Sequence, residues 1–384
     1  MFSSVELSRI ELPLQKKFGH NLAQHSKTDN LILSINDKTF YGYGEAVPRQ
    51  YVTKETSQHI FDNFANSKLI QILKEFNCTS LMEGVNNLFT LRLNDIESKN
   101  YVGPGLSCLL ELAILDFLGK KYGTQISGIL NKSFPFLKKG KNMNSFPFTT
   151  VLSYSDSLDR LSAKKINGVK VKVGKDIDFD VDNLRNIKKI VGDNVPVFID
   201  GNCCWKYDDG VRFAKKTQDM DIKWFEEPLS TSDFKELFAF KQETKVKIML
   251  DENCVSMQDL IRAHKENSFD YINLRISKNG GVSQFLEMYD YIVKNGYKAQ
   301  LGVQVGEVGP LWACGRQIMQ SGIDVVSYEA GQIDLLLKEY NLLDKYMIDR
   351  EVNRAFPIKD NGLGLKGIEY FVENNKRDNI KIFL

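Results

Sequence analysis

The sequence predicts an α/β protein whose larger part is a (β/α) barrel, entered through an α+β segment and followed by a tail. Three observations carry this. From about residue 146, short apolar strands alternate with amphipathic helices, and eight such strands is the count of a closed barrel. Unusual polar residues recur once per βα unit. No GxGxxG or Walker-type loop supports the competing architecture, an open doubly wound sheet.

The chain opens with three strand-like runs, "VELSRIELPL" (5–14), "NLILSIN" (30–36) and "FYGYGEAVP" (40–48), consistent with an antiparallel meander. "LSCLLELAILDFLGKKYG" (106–123) carries Leu109, Ala113 and Leu118 at helical spacing and ends in Gly123, a C-cap candidate. The barrel strands are "FTTVLSY", "VKVKVG", "VPVFIDGN", "IKWFEEPL", "VKIMLDEN", "YINLRI", "YKAQLGV" and "DVVSYEAG". Helices such as "NLRNIKKIVG" and "SQFLEMYDYIVKNG" fall between them. From about 346 the rhythm is lost, and the tail is expected to pack back onto the first segment. The expected divisions are 1–125, 126–345 and 346–384.

At 384 residues, 42% hydrophobic and 26% charged, the chain can bury a sizeable core. Its formal charge of +2, with basic and acidic residues interleaved, excludes a nucleic-acid surface. No apolar run reaches the roughly 18 residues of a membrane span, and "MFSSVELSRIELPL" lacks the order of a signal peptide, so a cytoplasmic address is expected. The six cysteines include no CxxC pair and read as reduced, mostly buried thiols.

The informative pattern lies at the strand ends. Lys172 to Asp200 is 28 positions, Asp200 to Glu226 is 26, Glu226 to Asp251 is 25 and Asp251 to Arg275 is 24. One βα unit has that length, so each group sits at the C-terminal end of a successive strand, the face where barrels place their chemistry. A lone strand-end Asp or Glu is more often a helix cap; the joint spacing favours a site. Three converging carboxylates repel unless a cation joins them, and an all-oxygen set suits Mg²⁺, or Mn²⁺, better than zinc. Asn202, on the same side of its strand as Asp200, can add an amide oxygen or orient a metal-bound water. Lys170 and Lys172 alternate with Val169, Val171 and Val173, which on pattern alone describes an exposed edge strand. A closed barrel has no such edge. Pointed inward, the two ammonium groups are expected to lower each other's pKa, leaving one as a base near neutral pH.

These residues resemble the enolase superfamily, in its muconate lactonizing enzyme-like and mandelate racemase-like branch. The matching pieces are "KVK", "DGN", "FEEP", "LDEN", "NLRISKNGG", "GYGEAVP" and "ELAILDFLGKKYG", which span nearly the whole chain. The resemblance implies a modified (β/α) TIM barrel under an N-terminal α+β capping domain completed by the C-terminal tail. It implies abstraction of a proton α to a carboxylate, with Mg²⁺ holding the enediolate. The outcome would be cycloisomerisation, epimerisation or β-elimination. Asp200, Glu226 and Asp251 would be the metal ligands, Lys172 the base and Lys170 its neighbour. Glu307 matches an acid that hydrogen-bonds the substrate carboxylate. Two capping loops, roughly 17–29 and 46–56, would set specificity, with His20, Arg49 and Tyr51 as candidates. The partner would be a small-molecule carboxylate, and family habit implies a homo-oligomer.

Two departures bear on the chemistry. The racemising members carry a lysine in "NxKxxxxGG", where this chain has Arg275, a poor proton acceptor that can instead hold a carboxylate. Lys278 is a further candidate contact, although its odd offset puts it on the opposite strand face unless the strand has ended. The "DxD" of dipeptide epimerases is replaced by "SYEAGQID", in which Glu329 can meet a substrate cation or act as a cap. The four histidines supply no His-Asp dyad. A metal-dependent isomerase or lyase is therefore weighed against a barrel that binds a small acid without turnover.

Overall fold

A computed structural model describes residues 2–384 apart from 21, 92–102, 138–142, 155, 164 and 332–347, and apart from the side chains of 16–18 and 20. The N-terminal strands are β1 (Ser4–Ile10), β2 (Pro13–His20), β3 (Ala23–Lys27), β4 (Asn30–Asn36) and β5 (Tyr41–Ala46). After the short β6 (Phe146–Pro147) come the barrel strands. These are β7 (Thr150–Leu152), β8 (Val169–Lys172), β9 (Val197–Asp200), β10 (Ile222–Glu226), β11 (Ile248–Leu250), β12 (Tyr271–Leu274), β13 (Lys298–Leu301) and β14 (Ser327–Tyr328). The tail adds β15 (Ile348–Asp349), β16 (Arg354–Ala355) and β17 (Lys376–Phe383).

The run read as one strand over 5–14 is two. β1 stays in the antiparallel sheet β17-β1-β4-β5, whereas β2 turns away to pair only with β3. Thr28 fixes the corner: its N–H donates to the Leu12 carbonyl at 2.8 Å and its Oγ1 accepts from the Leu12 N–H at 2.9 Å. The first expected specificity loop, 17–29, thus contains a hairpin. Its residues are too polar to announce a strand by alternation.

The helix Pro104–Lys121 lies across β4 and β5, buried from Gly105 to Gly119. "GYG" allows that approach, because a Cβ on Gly42 would stand 2.1 Å from the Ala113 carbonyl oxygen and one on Gly44 2.0 Å from that of Leu109. The tail serves both halves: β17 pairs antiparallel with β1, and β15-β16 extend onto β6.

Strands β7 to β14 form one parallel sheet in sequence order. Its two ends meet where the Thr149 N–H donates to the Tyr328 carbonyl at 2.9 Å and the Thr149 and Ser327 hydroxyls lie 2.7 Å apart. Buried carboxylates from the first segment grip this barrel at helix N-termini. Glu45 accepts the N–H groups of Val308, Gly309 and Leu311, and Glu111 accepts the Ser283 N–H at 2.6 Å. Among the described residues no helix is long and apolar enough to cross a membrane. The six cysteines are free thiols, four of them buried.

Candidate active site

Register brings the strand-end groups together. Lys172 pairs with Asp200 across β8 and β9, and Asp200 with Glu226 across β9 and β10. Glu226 pairs with Met249 on β11, two residues before Asp251 and on the same face. Of the two directions a closed barrel allows, inward to the mouth or outward against the helices, the lysines take the inward one. Lys170 Nζ lies 2.6 Å from both Glu226 and Glu329 and 3.8 Å from Asp200. Lys172 Nζ donates to Asp200 at 2.6 Å and to the Asn202 side-chain oxygen at 2.7 Å.

The expected lowering of the lysine pKa is overturned. Burial depresses both ammonium groups, but for Lys170 the nearby Glu226, Glu329 and Asp200 reverse the shift, and for Lys172 Asp200 outweighs the repulsion from Lys170. Both groups are raised above their ordinary value. Mutual repulsion was legible along one strand, whereas the opposing carboxylates come from three others.

The carboxylates differ in turn. Glu226 is fully buried and pushed well up by that burial, with Lys170 opposing; it accepts from the Asn273 amide at 2.8 Å. Asp251 is held well below the usual carboxylate range against its own burial, by Arg275 and then Lys278. Arg275 Nε donates to it at 3.0 Å, the Arg275 Nη2 group closes a second contact, and Lys278 Nζ lies 2.9 Å away.

Lys278 is a support, not a substrate contact. β12 has ended by Leu274, so the chain curls inward, and the ammonium donates to the Asp251 carbonyl, the Asp251 carboxylate and the Asn273 carbonyl. It is fully buried and does not line the cavity.

The cavity at this mouth, about 50 Å³, is lined by both lysines, Asp200, Asn202, Glu226, Asp251, Arg275, Glu329 and, from the second specificity loop, Tyr51. Two further candidates stand behind it. Glu307 accepts the Gln304 N–H at 2.7 Å, and Gln304 in turn accepts from Arg275 at 2.5 Å, so Glu307 acts one residue removed. Arg49 is buried and donates to the carbonyls of Pro48 and Val305. His20 falls among the side chains outside the described set.

Six lining residues escaped the sequence reading: Val151, Glu252, Asn273, Val303, Gln304 and Val305. Glu252 adjoins Asp251 in "LDEN", and Asn273 stands two before Arg275 on the same face, a signal that was available. Gln304 and Val303 lie in a loop with no periodic cue. Among the described residues, the one trio of His, Cys, Asp or Glu side chains with donor atoms all within 4.8 Å of one another is Cys203, Glu227 and Glu252. Asp200, Glu226 and Asp251 line one cavity without forming so tight a group, each braced by its own cation. Their donor set still fits a hard divalent ion. The cavity lining carries five carboxylates, Glu252 and Glu329 included, against the cations Lys170, Lys172 and Arg275.

Known proteins share this fold. The N-succinyl-L-Arg/Lys racemase of Bacillus cereus is 24% identical over 312 residues, covering 79% of this chain and 80% of that one. The crystal structure of the N-succinyl Arg/Lys racemase from that organism superposes with a TM-score of 0.84 at 21% identity, covering 99% of each chain. The dipeptide epimerase of Cytophaga hutchinsonii, solved with Mg and the dipeptide D-Ala-L-Val, gives a TM-score of 0.80 at 20% identity over all of both chains. The sequence profile of the enolase C-terminal domain-like family matches residues 154–365, more than half of the chain. The chain accordingly belongs to the enolase C-terminal domain-like family, and it is an isomerase or lyase of the enolase superfamily.

Proposed function

We propose that this enzyme removes the proton α to the carboxylate of a small-molecule substrate, with Lys172 as its base and Mg²⁺, or Mn²⁺ in its place, held by Asp200, Glu226 and Asp251. The observation that carries this is convergence: Asp200, Glu226 and Asp251 reach one cavity from successive strand ends, beside Lys170 and Lys172. Bound there, the ion would supply a Lewis acid for the negative charge that develops on the substrate carboxylate, and would offset the carboxylates that hold the lysines protonated.

The chain's own residues divide the remaining work. Asn202 aims Lys172 through the 2.7 Å hydrogen bond to its side-chain oxygen. Lys170, pinned between Glu226 and Glu329, adds a fixed positive charge beside the base. Arg275 is held by Asp251 and Gln304, and against its burial the Asp251 and Glu252 carboxylates keep it charged, so it orients an anion and accepts no proton. One base on one wall supports cycloisomerisation or β-elimination. Epimerisation is the second reading, favoured by the racemase and epimerase relatives.

The test is solvent exchange. N-acylated amino acids, dipeptides and other small carboxylates are incubated with enzyme and Mg²⁺ in D₂O, and α-deuteration is followed by NMR. Exchange should vanish on EDTA treatment, return with Mg²⁺, and be lost in Lys172→Ala. Exchange undiminished by that substitution would remove Lys172 as the base, and turnover of an acid without any exchange would remove α-proton abstraction as the shared step.

A further inference from the structure

One step beyond the carboxylates assigned to Mg²⁺ stands the trio of Cys203, Glu227 and Glu252, contributed by the loops after β9, β10 and β11. Its donor atoms all lie within 4.8 Å of one another. We propose that these three side chains bind a second cation, a single thiophilic divalent ion of the Zn²⁺ type.

Three observations support it. Glu252 has a side chain only 6% exposed; its Oε1 accepts from Asn202 at 2.9 Å and lies 3.9 Å from Arg275 Nη2, while its Oε2, turned to the trio, is buried with no hydrogen-bond partner. A buried carboxylate oxygen left unpaired is costly unless something positive meets it. Glu227 accepts the N–H groups of Asp251 and Asn253 and the Asn253 amide, three donors for four lone-pair positions, which leaves one free. Cys203 is held over this pair by the hydrogen bond from its own N–H to the Glu227 carbonyl, at 2.8 Å. Asn202 and Cys203 both take positive φ, 43° and 59°, a conformation that non-glycine residues rarely adopt and that aims the thiol into the cluster.

The chemistry separates this trio from its neighbours. Asp200, Glu226 and Asp251 offer oxygen alone and suit a hard ion, whereas a thiolate with two carboxylates selects zinc over magnesium. Zinc bonded to sulfur at about 2.3 Å and to oxygen at about 2.1 Å sets tetrahedral donors about 3.6 Å apart, so the trio needs to close by no more than about an ångström on binding. Cys203 releases its proton to solvent as the metal–sulfur bond forms, and no oxidant or reductant is needed. Occupancy also reaches the base, since Glu252 holds Asn202 and Asn202 holds Lys172.

The experiment titrates Cd²⁺ into the full-length protein kept in excess Mg²⁺. A sulfur-to-cadmium charge-transfer band should appear in the ultraviolet and saturate at a single equivalent. Cys203→Ser should abolish the band, Glu252→Gln should weaken binding, and Cys204→Ser should leave the band intact. A band that survives Cys203→Ser, or its absence from the wild type, overturns the proposal. Unmodified protein gives a check that needs no variant: Zn²⁺ should slow alkylation of Cys203 relative to Cys204, and equal rates with and without Zn²⁺ would overturn the site.

Discussion

The two cationic walls of the barrel mouth are built alike and differ in what they can do. On β8, Lys170 and Lys172 stand two residues apart and lean on Asp200, Glu226 and Glu329. After β12, Arg275 and Lys278 stand three apart and lean on Asp251. The first wall keeps Lys172 on the cavity surface with two acceptors. The second spends all three protons of Lys278 on buried acceptors and presents a guanidinium to the cavity. The lesson is that equal charge does not mean equal placement: one wall leaves an amine on the cavity surface, and the other holds the Asp251 carboxylate in place.

Substitutions break this comparison most directly at Lys172. Lys172→Ala should lower α-proton exchange by about 10²–10⁴-fold, the usual contribution of a positioned base. Lys278→Met, on the other wall, should instead cost stability, about 3–5 kcal/mol, because it strips one partner from a buried ion pair; urea unfolding reads this loss. Arg275→Lys sharpens the contrast by giving the second wall an amine. Wild-type enzyme should deuterate one stereoisomer of an α-chiral substrate, and the variant should begin to deuterate the other as well. If both forms deuterate one isomer only, position 275 takes no part in proton transfer.

The smallest effect lies away from the mouth. Burial raises the Glu111 carboxyl from 4.5 to about 7, so over that interval the folded protein keeps a proton that the unfolded chain has released. Its contribution is greatest below pH 4.5 and falls by roughly 3 kcal/mol as the pH rises to 7. Glu111→Gln should flatten this part of the stability profile, as measured by urea unfolding at the two ends of the interval.

Much of this was readable in the chain. The barrel strands are local objects, apolar runs closed by a polar residue, and "VKVKVG", "VPVFIDGN" and "IKWFEEPL" contain the strands they suggested. The hairpin of β2 and β3 was not, because "KKFGHNLAQHSK" has no apolar face to alternate. The direction of Lys278 stayed open in the sequence because it depends on where β12 stops. Glu252 was passed over because a residue beside a stronger candidate carries no separate signal.

What the sequence determined by itself is the set of groups and their order: polar residues one βα unit apart must arrive at successive strand ends, since each strand and helix has a fixed rise. What only the tertiary structure decided is the charge state and partnership of each group. Lys172 is two residues from Lys170 along the chain, and that neighbour alone argues for a lowered pKa. In space it is 2.6 Å from Asp200, contributed by a different strand, and the sign of the shift reverses. Electrostatic energy depends on distance through the folded molecule, which spacing along the chain does not encode.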